Sequence, residues 1–501
     1  MTPQLLERLR MARNVLGGVD GDGVPTHPSM FDEKVISLAH GDGTRRPHDS
    51  VVAAGVAALL ETRTASLDDY MFLRPHEEFE AAIAVDFTAN GIPAEVSRNV
   101  AVASGTTRLF AAFLHACARP GDVFGVPRSY YHPLPAWCAL GQVELELVPT
   151  TGTTDYKLTP ALLDAWVTRN RRSGGRPRGL FLFNPTQTGA LYETDELAAL
   201  AGCVRKHDLY VLEDCVFAGT EFPGQRPVQH LTAAAPELSD RVVVLKGASK
   251  AHNLANIRIG WGCGPDTVVR MMNDYTVATA TTVPYVAKEM ALAALQAPTE
   301  YLRENAAECA GRAALITELV AECNDAVGAG EILRVIHQPQ AGHGILVGAP
   351  GLRGRRMPDG TEITGSVDVA RYLLSAAQVA TSPGFSLGFD GTELRMVFGS
   401  VGVRQTYPPD SVRELATTLR RLAVPRRSAR SDSTGRVLAV GDAVVAGDTR
   451  PGPDLFRPGR DLIATAFRDR ITPAIRRLVR RSGVGAPPDT AGVSARQTRG
   501  G

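Results

Sequence analysis

The sequence lacks the features that mark several classes of protein. Its seven cysteines are scattered, odd in number and without a Cys-x-x-Cys pair, so we expect neither a disulfide framework nor a metal site. No run approaches the roughly 20 apolar residues of a membrane span. Lysine plus arginine, 54, almost equals aspartate plus glutamate, 53, so no excess of one charge favours nucleic acid or a membrane as a partner.

What remains is an ordinary composition for a globular enzyme. Hydrophobic residues make up 44% and charged residues 21% of the 501 residues, enough for two or more domains. The N-terminal stretch carries charges within its apolar part, so it does not resemble a secretory signal. We therefore expect a cytoplasmic protein that binds a small molecule.

From about residue 100 the sequence alternates short apolar strands with helices. The strand-like runs, each ending in a polar segment, lie at 100–103, 120–127, 179–183, 209–212 and 242–245. This alternation is typical of a mostly parallel sheet between two layers of helices. Ligands of such sheets gather at the carboxyl ends of the strands.

The pattern divides the chain into four parts. Residues 1–60 are expected to form an N-terminal arm and part of a small domain, 61–290 a large domain, and 291–424 a smaller α+β domain. Residues 425–501 are an extension rich in arginine, glycine and proline. Apolar residues recur at helical spacing within this extension. They predict either a helix packed on the protein itself or a basic amphipathic helix that binds a membrane, nucleic acid or another partner.

One short segment has the residues that carbonyl chemistry requires. Lys250 follows the apolar run 242–245, and Arg258 comes after a short loop. A partly desolvated lysine can hold a carbonyl compound as a Schiff base, and an arginine can grip a phosphate, with Ser249 as a second donor. This suits pyridoxal 5′-phosphate. The alternative is a surface lysine and arginine that bracket a loop.

Several motifs in the same order resemble the class I/II aminotransferases, which are fold-type I pyridoxal-phosphate enzymes. The resemblance covers about residues 35–424 and implies a large domain with a mostly parallel, seven-stranded type of sheet, plus a smaller α+β domain. It implies that Lys250 carries the cofactor and then moves the substrate's Cα proton. It also implies that Arg258 and Ser249 bind the phosphate. Gly247 departs from the family, which often has a second phosphate-binding hydroxyl there.

The resemblance implies further contacts with the cofactor. Ser104, Gly105 and Thr106 resemble a phosphate cradle at a helix N-terminus, where free N–H groups favour an anion. Taken alone, such a turn would be a helix cap. Tyr130 resembles the aromatic residue that stacks on the pyridine ring, and Tyr131 is the second choice for this role.

The opposite edge of the cofactor ring is assigned in the same way. Asp214 matches the carboxylate that pairs with the pyridinium nitrogen and keeps it protonated. Three residues on, the family has a tyrosine that hydrogen-bonds the ring oxygen O3′, and here Phe217 has no such donor. Residues 184–189 resemble the Asn-Pro-x-Asn-Pro-Thr-Gly motif but are one residue short. Asn184 is our candidate for the O3′ contact.

Two more residues are assigned to substrate and assembly. Arg395 resembles the arginine that grips the substrate α-carboxylate with a bidentate fork. Tyr70 matches a tyrosine that, in relatives, reaches the phosphate of the neighbouring subunit, which implies a homodimer with shared active sites.

Other functions fit the sequence less well. Gly260, Gly262 and Gly264 suggest a dinucleotide motif, but the third glycine of G-x-G-x-x-G would fall at Pro265, and no helix begins inside it. A non-enzymatic protein that binds the cofactor and regulates DNA would need a DNA-binding domain, for which the N-terminal segment leaves no room. A nucleic-acid-binding tail is a more distant alternative.

The main open question is the reaction. Transamination of an α-amino acid leads. The alternatives are elimination or replacement at Cβ or Cγ, oxidation, or carbon–carbon bond formation on an amino acid or S-adenosylmethionine. Phe217 and the shortened motif both alter the O3′ side, which favours a specialised biosynthetic enzyme. Further polar residues near the site are His132 and His252, as extra acid–base groups, and, at its mouth, His40, Asp42, Arg45 and Arg46.

Overall fold

The computed structural model describes residues 3–41, 43–60, 76–402 and 456–481. Asp42 and Tyr70 lie outside the described residues. No helix in the described ranges is both long and apolar enough to cross a membrane.

The α-helices of these ranges are α1 (Pro3–Gly17), α2 (Asp49–Leu60), α3 (Glu77–Ala89), α4 (Val96–Asn99), α5 (Thr106–Cys117), α6 (Leu134–Leu140), α7 (Pro160–Arg172), α8 (Thr194–His207), α9 (Leu231–Ala234), α10 (Asp266–Ala280), α11 (Tyr285–Leu295), α12 (Thr299–Val327), α13 (Ser366–Ala377), α14 (Arg457–Thr465) and α15 (Thr472–Arg481). Short 3₁₀ turns include Ala255–Ile257 and Gly384–Leu387, and a π-helical turn, Ala466–Ile471, joins α14 to α15.

The strands are β1 (Ile36–Leu38), β2 (Val100–Ala103), β3 (Val123–Pro127), β4 (Glu144–Val148), β5 (Pro177–Phe183), β6 (Tyr210–Asp214), β7 (Val242–Gly247), β8 (Gly260–Cys263), β9 (Arg334–His337), β10 (Gly344–Gly348), β11 (Val379–Pro383) and β12 (Leu394–Val397). Seven of them form a large sheet in the order β2-β8-β7-β6-β5-β3-β4. Within it only β8 runs antiparallel to its neighbours. The predicted mostly parallel sheet is confirmed.

The large sheet is buried on both faces, which explains its unbroken apolar strands. In β5, Leu180 and Leu182 pack into one hydrophobic cluster, whereas Phe181 and Phe183 pack into another on the opposite face. Successive residues of a strand point to opposite faces, so a sheet covered twice needs apolar residues at every position.

A second sheet has the order β1-β11-β12-β10-β9. Its strands are antiparallel except for β1, which pairs in parallel with β11. Helices α12 and α13 pack over its hydrophobic core. Helix α1 connects the two units, because Leu5 packs with one core of the large sheet and Val15 with the core of the second. The domain boundaries at 60, 290 and 424 stay predictions.

The described part of the C-terminal extension belongs to this second core. Ile463, Phe467, Ile471 and Ile475 are fully buried in it. The alternative of a helix packed on the protein itself is therefore confirmed for residues 456–481.

The arginines of this segment are largely used within the chain. Arg476 donates to the carbonyl of Ala326 in the last turn of α12, and Arg477 to that of Ala376 in the last turn of α13. Cations at helix C-termini satisfy free carbonyls and complement the helix dipole. The amphipathic pattern thus arises from an internal interface rather than from a basic outer face.

Candidate active site

The topology brings the predicted site residues to one edge of the large sheet. Asp214 ends β6, Lys250 follows β7, and the turn at Gly105 follows β2. These strands are parallel, so their carboxyl ends meet at the same edge. Because β8 is antiparallel, its amino end lies there too, and that places Arg258 in the same region.

Arg258 lies against the N-terminus of α5. Gly105, the residue before this helix, has φ of +84°, and a Cβ on it would lie 2.5 Å from Nη2 of Arg258. Gly260 allows equally close contact, since its Cβ would lie 2.6 Å from the Thr106 nitrogen. A cation beside the positive end of a helix is unfavourable by itself, whereas a phosphate between them is stabilised by both.

The other predicted phosphate residues lie around this cradle. Ser104 is in the bend between β2 and α5, and Ser249 is in the turn after β7. Gly247, which ends β7, has no side chain to contribute. A Cβ there would lie 3.3 Å from the Ile259 carbonyl oxygen, so close packing with the segment before β8 accounts for the departure from the family pattern.

Lys250 is half-buried at the centre of the site. Its Nζ donates a hydrogen bond to the carbonyl oxygen of Gly41 at 2.5 Å and lies 5.8 Å from the centre of the Phe217 ring. Gly41 comes from the loop after β1, so the second unit contacts the lysine directly. Nothing in the sequence around Gly41 indicates this contact, because only the tertiary fold brings the loop to the lysine.

Asp214 is a buried acid whose ionised form a nearby cation would stabilise. Its carboxylate accepts a hydrogen bond from the Val216 N–H at 3.0 Å. Burial raises its pKa to about 7, and the charge of Lys250 acts in the opposite direction. A protonated pyridine nitrogen is the kind of partner that such a carboxylate stabilises.

The O3′ side differs from the prediction at Asn184. This side chain is fully buried, and its Nδ2 donates to Glu213 Oε1 at 3.3 Å and to the Gln229 carbonyl at 2.6 Å. Glu213 and Asp214 are consecutive residues of β6 and so point to opposite faces. The Asn184 amide therefore lies on the face away from Asp214, and this position does not fit the predicted O3′ contact.

The aromatic assignment also changes. Tyr130 is 0% exposed, and its buried hydroxyl has no hydrogen-bond partner in the described ranges. A ring that is closed in on both faces cannot stack on a cofactor. Tyr131 is half-buried and packs on the rings of His132 and Trp137. Tyr131 is therefore the better placed of the two.

Arg395 lies in β12 of the second sheet, opposite Leu346 of β10 and Ser382 of β11. Its Nε is buried and has no hydrogen-bond partner among the described residues. Burial lowers its pKa to about 10. A half-buried guanidinium with an unpaired Nε favours a carboxylate ligand.

Comparisons with known proteins agree with this geometry. The family model described as aminotransferase class I and II matches residues 33–405. The chain belongs to this family. A probable aspartate/prephenate aminotransferase of Rickettsia conorii is 25% identical over 368 residues, which are 71% of this chain and 85% of the relative. The aspartate/prephenate aminotransferase of Cereibacter sphaeroides is 27% identical over 71% of this chain and 84% of that protein.

Solved structures of family members have the same fold. The aspartate aminotransferase of Rhizobium meliloti superposes with a TM-score of 0.63 at 21% identity, covering 78% of this chain and 91% of that one. The Thermus thermophilus enzyme with maleate gives 0.61 at 22% identity, with the same coverage. This chain is a fold-type I aminotransferase-like enzyme, and its cofactor is pyridoxal 5′-phosphate.

The side chains of this family member fit that cofactor. The cradle of Arg258 and α5 suits its phosphate, and Asp214 suits its ring nitrogen. Lys250 suits its aldehyde. Phe217 offers no hydrogen-bond donor at the place of the family's tyrosine, and its ring meets His343 edge-on at 5.6 Å between centroids.

Two histidines were predicted as additional acid–base groups, and the structure separates them. His132 is surrounded by the charges of Arg395, Arg13 and Lys250. Its burial, then these charges, lower its pKa to about 4. Burial also lowers the pKa of His252 to about 4, but the charge that acts on it is Asp86. The charges of two site residues, Arg395 and Lys250, thus act on His132, and its lowered pKa leaves it neutral at pH 7.

The arginines at the presumed mouth have internal partners. Arg45 pairs with Glu304 at 2.9 Å, and Arg46 with Asp49 at 2.7 Å. The carbonyl oxygen of His40 accepts a hydrogen bond from Ser400. Arg13 of α1 was not predicted from the sequence, because nothing near it in the chain indicates that α1 passes the site.

Proposed function

We propose that this enzyme transfers the amino group of an α-amino acid, with Lys250 as the residue that moves the proton. The observation that carries the proposal is the meeting of Lys250, Asp214 and the Arg258 cradle at one sheet edge. Bound pyridoxal phosphate supplies an electron sink for the substrate's Cα carbanion. Arg258 and the N-terminus of α5 hold the phosphate, and Asp214 holds a proton at the pyridine nitrogen.

Substrate binding is assigned to Arg395 and the aromatic wall. The Arg395 guanidinium grips the α-carboxylate, which orients the Cα–H bond towards Lys250 Nζ. Tyr131 packs on the ring in place of Tyr130. Neutral His132 stands beside both cations and can accept a hydrogen bond from the substrate.

The substrate is proposed to carry a second acidic group. Arg13, Arg395 and Lys250 all place positive charge around His132. The relatives are named for aspartate and prephenate, and both of these compounds carry two carboxylates. Arg13 is exposed and is our choice for the second carboxylate.

Reactions other than transamination have one observation in their favour. Phe217 provides no donor, and the Asn184 amide is turned away, so neither holds the O3′ oxygen. This altered ring environment supports a specialised biosynthetic role and keeps elimination, replacement, oxidation and carbon–carbon bond formation as the second candidate.

A homodimer with shared active sites is also proposed. The support is the resemblance of Tyr70 to a tyrosine that crosses between subunits in relatives. Sedimentation equilibrium measures the mass. Mixing a Lys250→Ala with a Tyr70→Phe protein then tests sharing, since hybrid dimers recover one intact site.

The reaction itself is tested with the purified protein and a panel of amino acids that includes aspartate and S-adenosylmethionine. Mass spectrometry of the released cofactor and of the products distinguishes the candidates. Pyridoxamine phosphate plus a stoichiometric keto acid supports transamination. An unchanged cofactor with a product that has lost or exchanged a side-chain group supports the second candidate.

A further inference from the structure

The C-terminal segment 456–481 lies outside the family match, and it reaches the neighbourhood of the active site. Two Arg–Glu pairs fasten it to α12. Arg460 forms a fork on Glu308, with Nη2 at 2.6 Å and Nε at 3.1 Å from Oε2. Arg468 forms a similar fork on Glu322, at 2.7 Å and 2.8 Å.

The first pair continues into the protein. Glu308 also binds Arg312 at 2.6 Å, and both side chains are almost fully buried. Arg312 Nη1 donates to three carbonyls, those of Phe398 at 2.7 Å, Gly399 at 3.0 Å and Val401 at 2.9 Å. The buried acid between two arginines therefore fixes the backbone turn 398–401.

This turn supports the site from the side of the second sheet. It directly follows β12, which carries Arg395. The N–H of Phe398 donates to the His343 carbonyl at 2.9 Å. Ser400 Oγ donates to the His40 carbonyl at 2.9 Å, and the next residue, Gly41, accepts the hydrogen bond from Lys250.

The C-terminal segment also lies directly against the end of the turn 398–401 and near the Arg45 side chain at the mouth of the site. A Cβ on Gly402 would lie 2.5 Å from the Cα of Gly459 in α14, and a Cβ on Gly459 would lie 2.5 Å from the Val401 carbonyl oxygen. The guanidinium of Arg45 lies 5.9 Å from the centre of the Phe456 ring. Within the part of the chain that the structure describes, the second pair, Arg468 with Glu322, has no such continuation. Both of its side chains are half exposed at a later turn of α12.

We propose that Arg460 is a positioning residue, which acts through Glu308 and Arg312 to hold the turn 398–401 and thereby the Gly41 loop against Lys250. The C-terminal segment is then part of the catalytic unit rather than an appendage. The catalytic consequence rests on the proposed function, whereas the effect on the turn does not.

The test compares Arg460→Ala with Arg468→Ala in the full chain. Each variant removes one arginine fork between the C-terminal segment and α12, so both lose the same kind of contact. In the cofactor-free protein, hydrogen–deuterium exchange of the Phe398 and Gly399 amides should become about tenfold faster in R460A, because the turn opens locally more often. In R468A it should stay within about twofold of wild type.

Kinetics with pyridoxal phosphate and an amino acid give the second readout. We expect kcat/KM to fall about tenfold in R460A and by less than about twofold in R468A, since misplacement of the reacting groups costs rate. Arg460→Lys keeps the charge but not the fork, so its kcat/KM should lie between those of R460A and R468A. Ser400→Ala should reproduce part of the loss without touching the tail, which covers the case that R460A folds poorly.

Unchanged exchange at 398–399 in R460A overturns the proposal, and so does an equal increase in R468A. A wild-type protein without transamination would instead overturn the proposed function. The exchange experiment would still decide whether Arg460 holds the turn.

Discussion

Arg258 Nη2 and Gly105 are in such close contact that a single added methyl group would lie 2.5 Å from the guanidinium. We propose that the pair forms an anion cradle, with the N–H groups of α5 on one side and the arginine on the other. Its geometry depends on the left-handed φ of +84° at Gly105, which a side chain disfavours.

Gly105→Ala should therefore weaken cofactor binding by about tenfold or more, since the methyl group displaces the arginine from the phosphate position. Fluorescence titration with pyridoxal phosphate measures the dissociation constant. Gly224→Ala is the matched control, because Gly224 has φ of +83° and nothing within 4 Å of its added Cβ. Equal weakening in both variants would mean that backbone strain, and not the cradle, is responsible.

Phe217→Tyr should restore the missing donor. A hydroxyl there would stabilise negative charge on O3′, so the pH midpoint of the visible absorbance change of the Lys250-bound cofactor should fall. The midpoint is read from spectra across pH. Phe222→Tyr, in the core of the second unit, controls for an added buried hydroxyl. An unchanged midpoint in F217Y would show that this ring is not near O3′.

Asp214 makes the cofactor-free protein sensitive to pH. Burial raises its folded pKa to about 7 from 3.8. The free energy of unfolding therefore falls as the pH rises between these two values, and the loss is complete above pH 7. Asp214→Asn should match wild-type stability near pH 4 and exceed it by about 1–4 kcal/mol at pH 8. Urea unfolding at a series of pH values gives the difference. A constant difference across pH would contradict the account.

Arg13→Gln should act on acidic substrates selectively. For aspartate we expect kcat/KM to fall about tenfold, and for alanine to change less than about twofold, because only aspartate offers a second carboxylate. Steady-state kinetics with both amino donors provide the comparison. Arg10→Gln is the control on the same helix, since Arg10 is exposed and is paired only loosely with Glu7, at 3.9 Å. An equal fall in kcat/KM for both amino donors would mean that Arg13 supports the stability of the protein and does not bind the second carboxylate.

Sequence patterns predicted the parts of the site that depend on strand ends. Asp214, Lys250 and Arg258 each lie beside an apolar strand, and the topology of parallel strands was enough to bring them together. The direction in which individual side chains point was harder to predict. Tyr130 and Tyr131 are neighbours in the chain, and only packing decides which of them faces the core.

Other contacts depend on tertiary structure alone. Glu213 and Gln229 hold the Asn184 amide away from Asp214, and a shortened motif gives no indication of this. Gly41 reaches the site because the loop after β1 crosses to it from elsewhere in the fold, and α1 carries Arg13, whose charge acts on His132. The spacing of the tail's arginines predicts a basic face, whereas in the structure they bind carboxylates and backbone carbonyls.

Lys250 is proposed to carry the cofactor. Borohydride reduction of the protein loaded with pyridoxal phosphate, followed by proteolysis and mass spectrometry of the peptides, identifies the modified lysine. We expect the adduct on Lys250 alone. An adduct on Lys246, which lies four residues earlier and is paired with Asp86 at 3.0 Å, or no adduct at all, would contradict it.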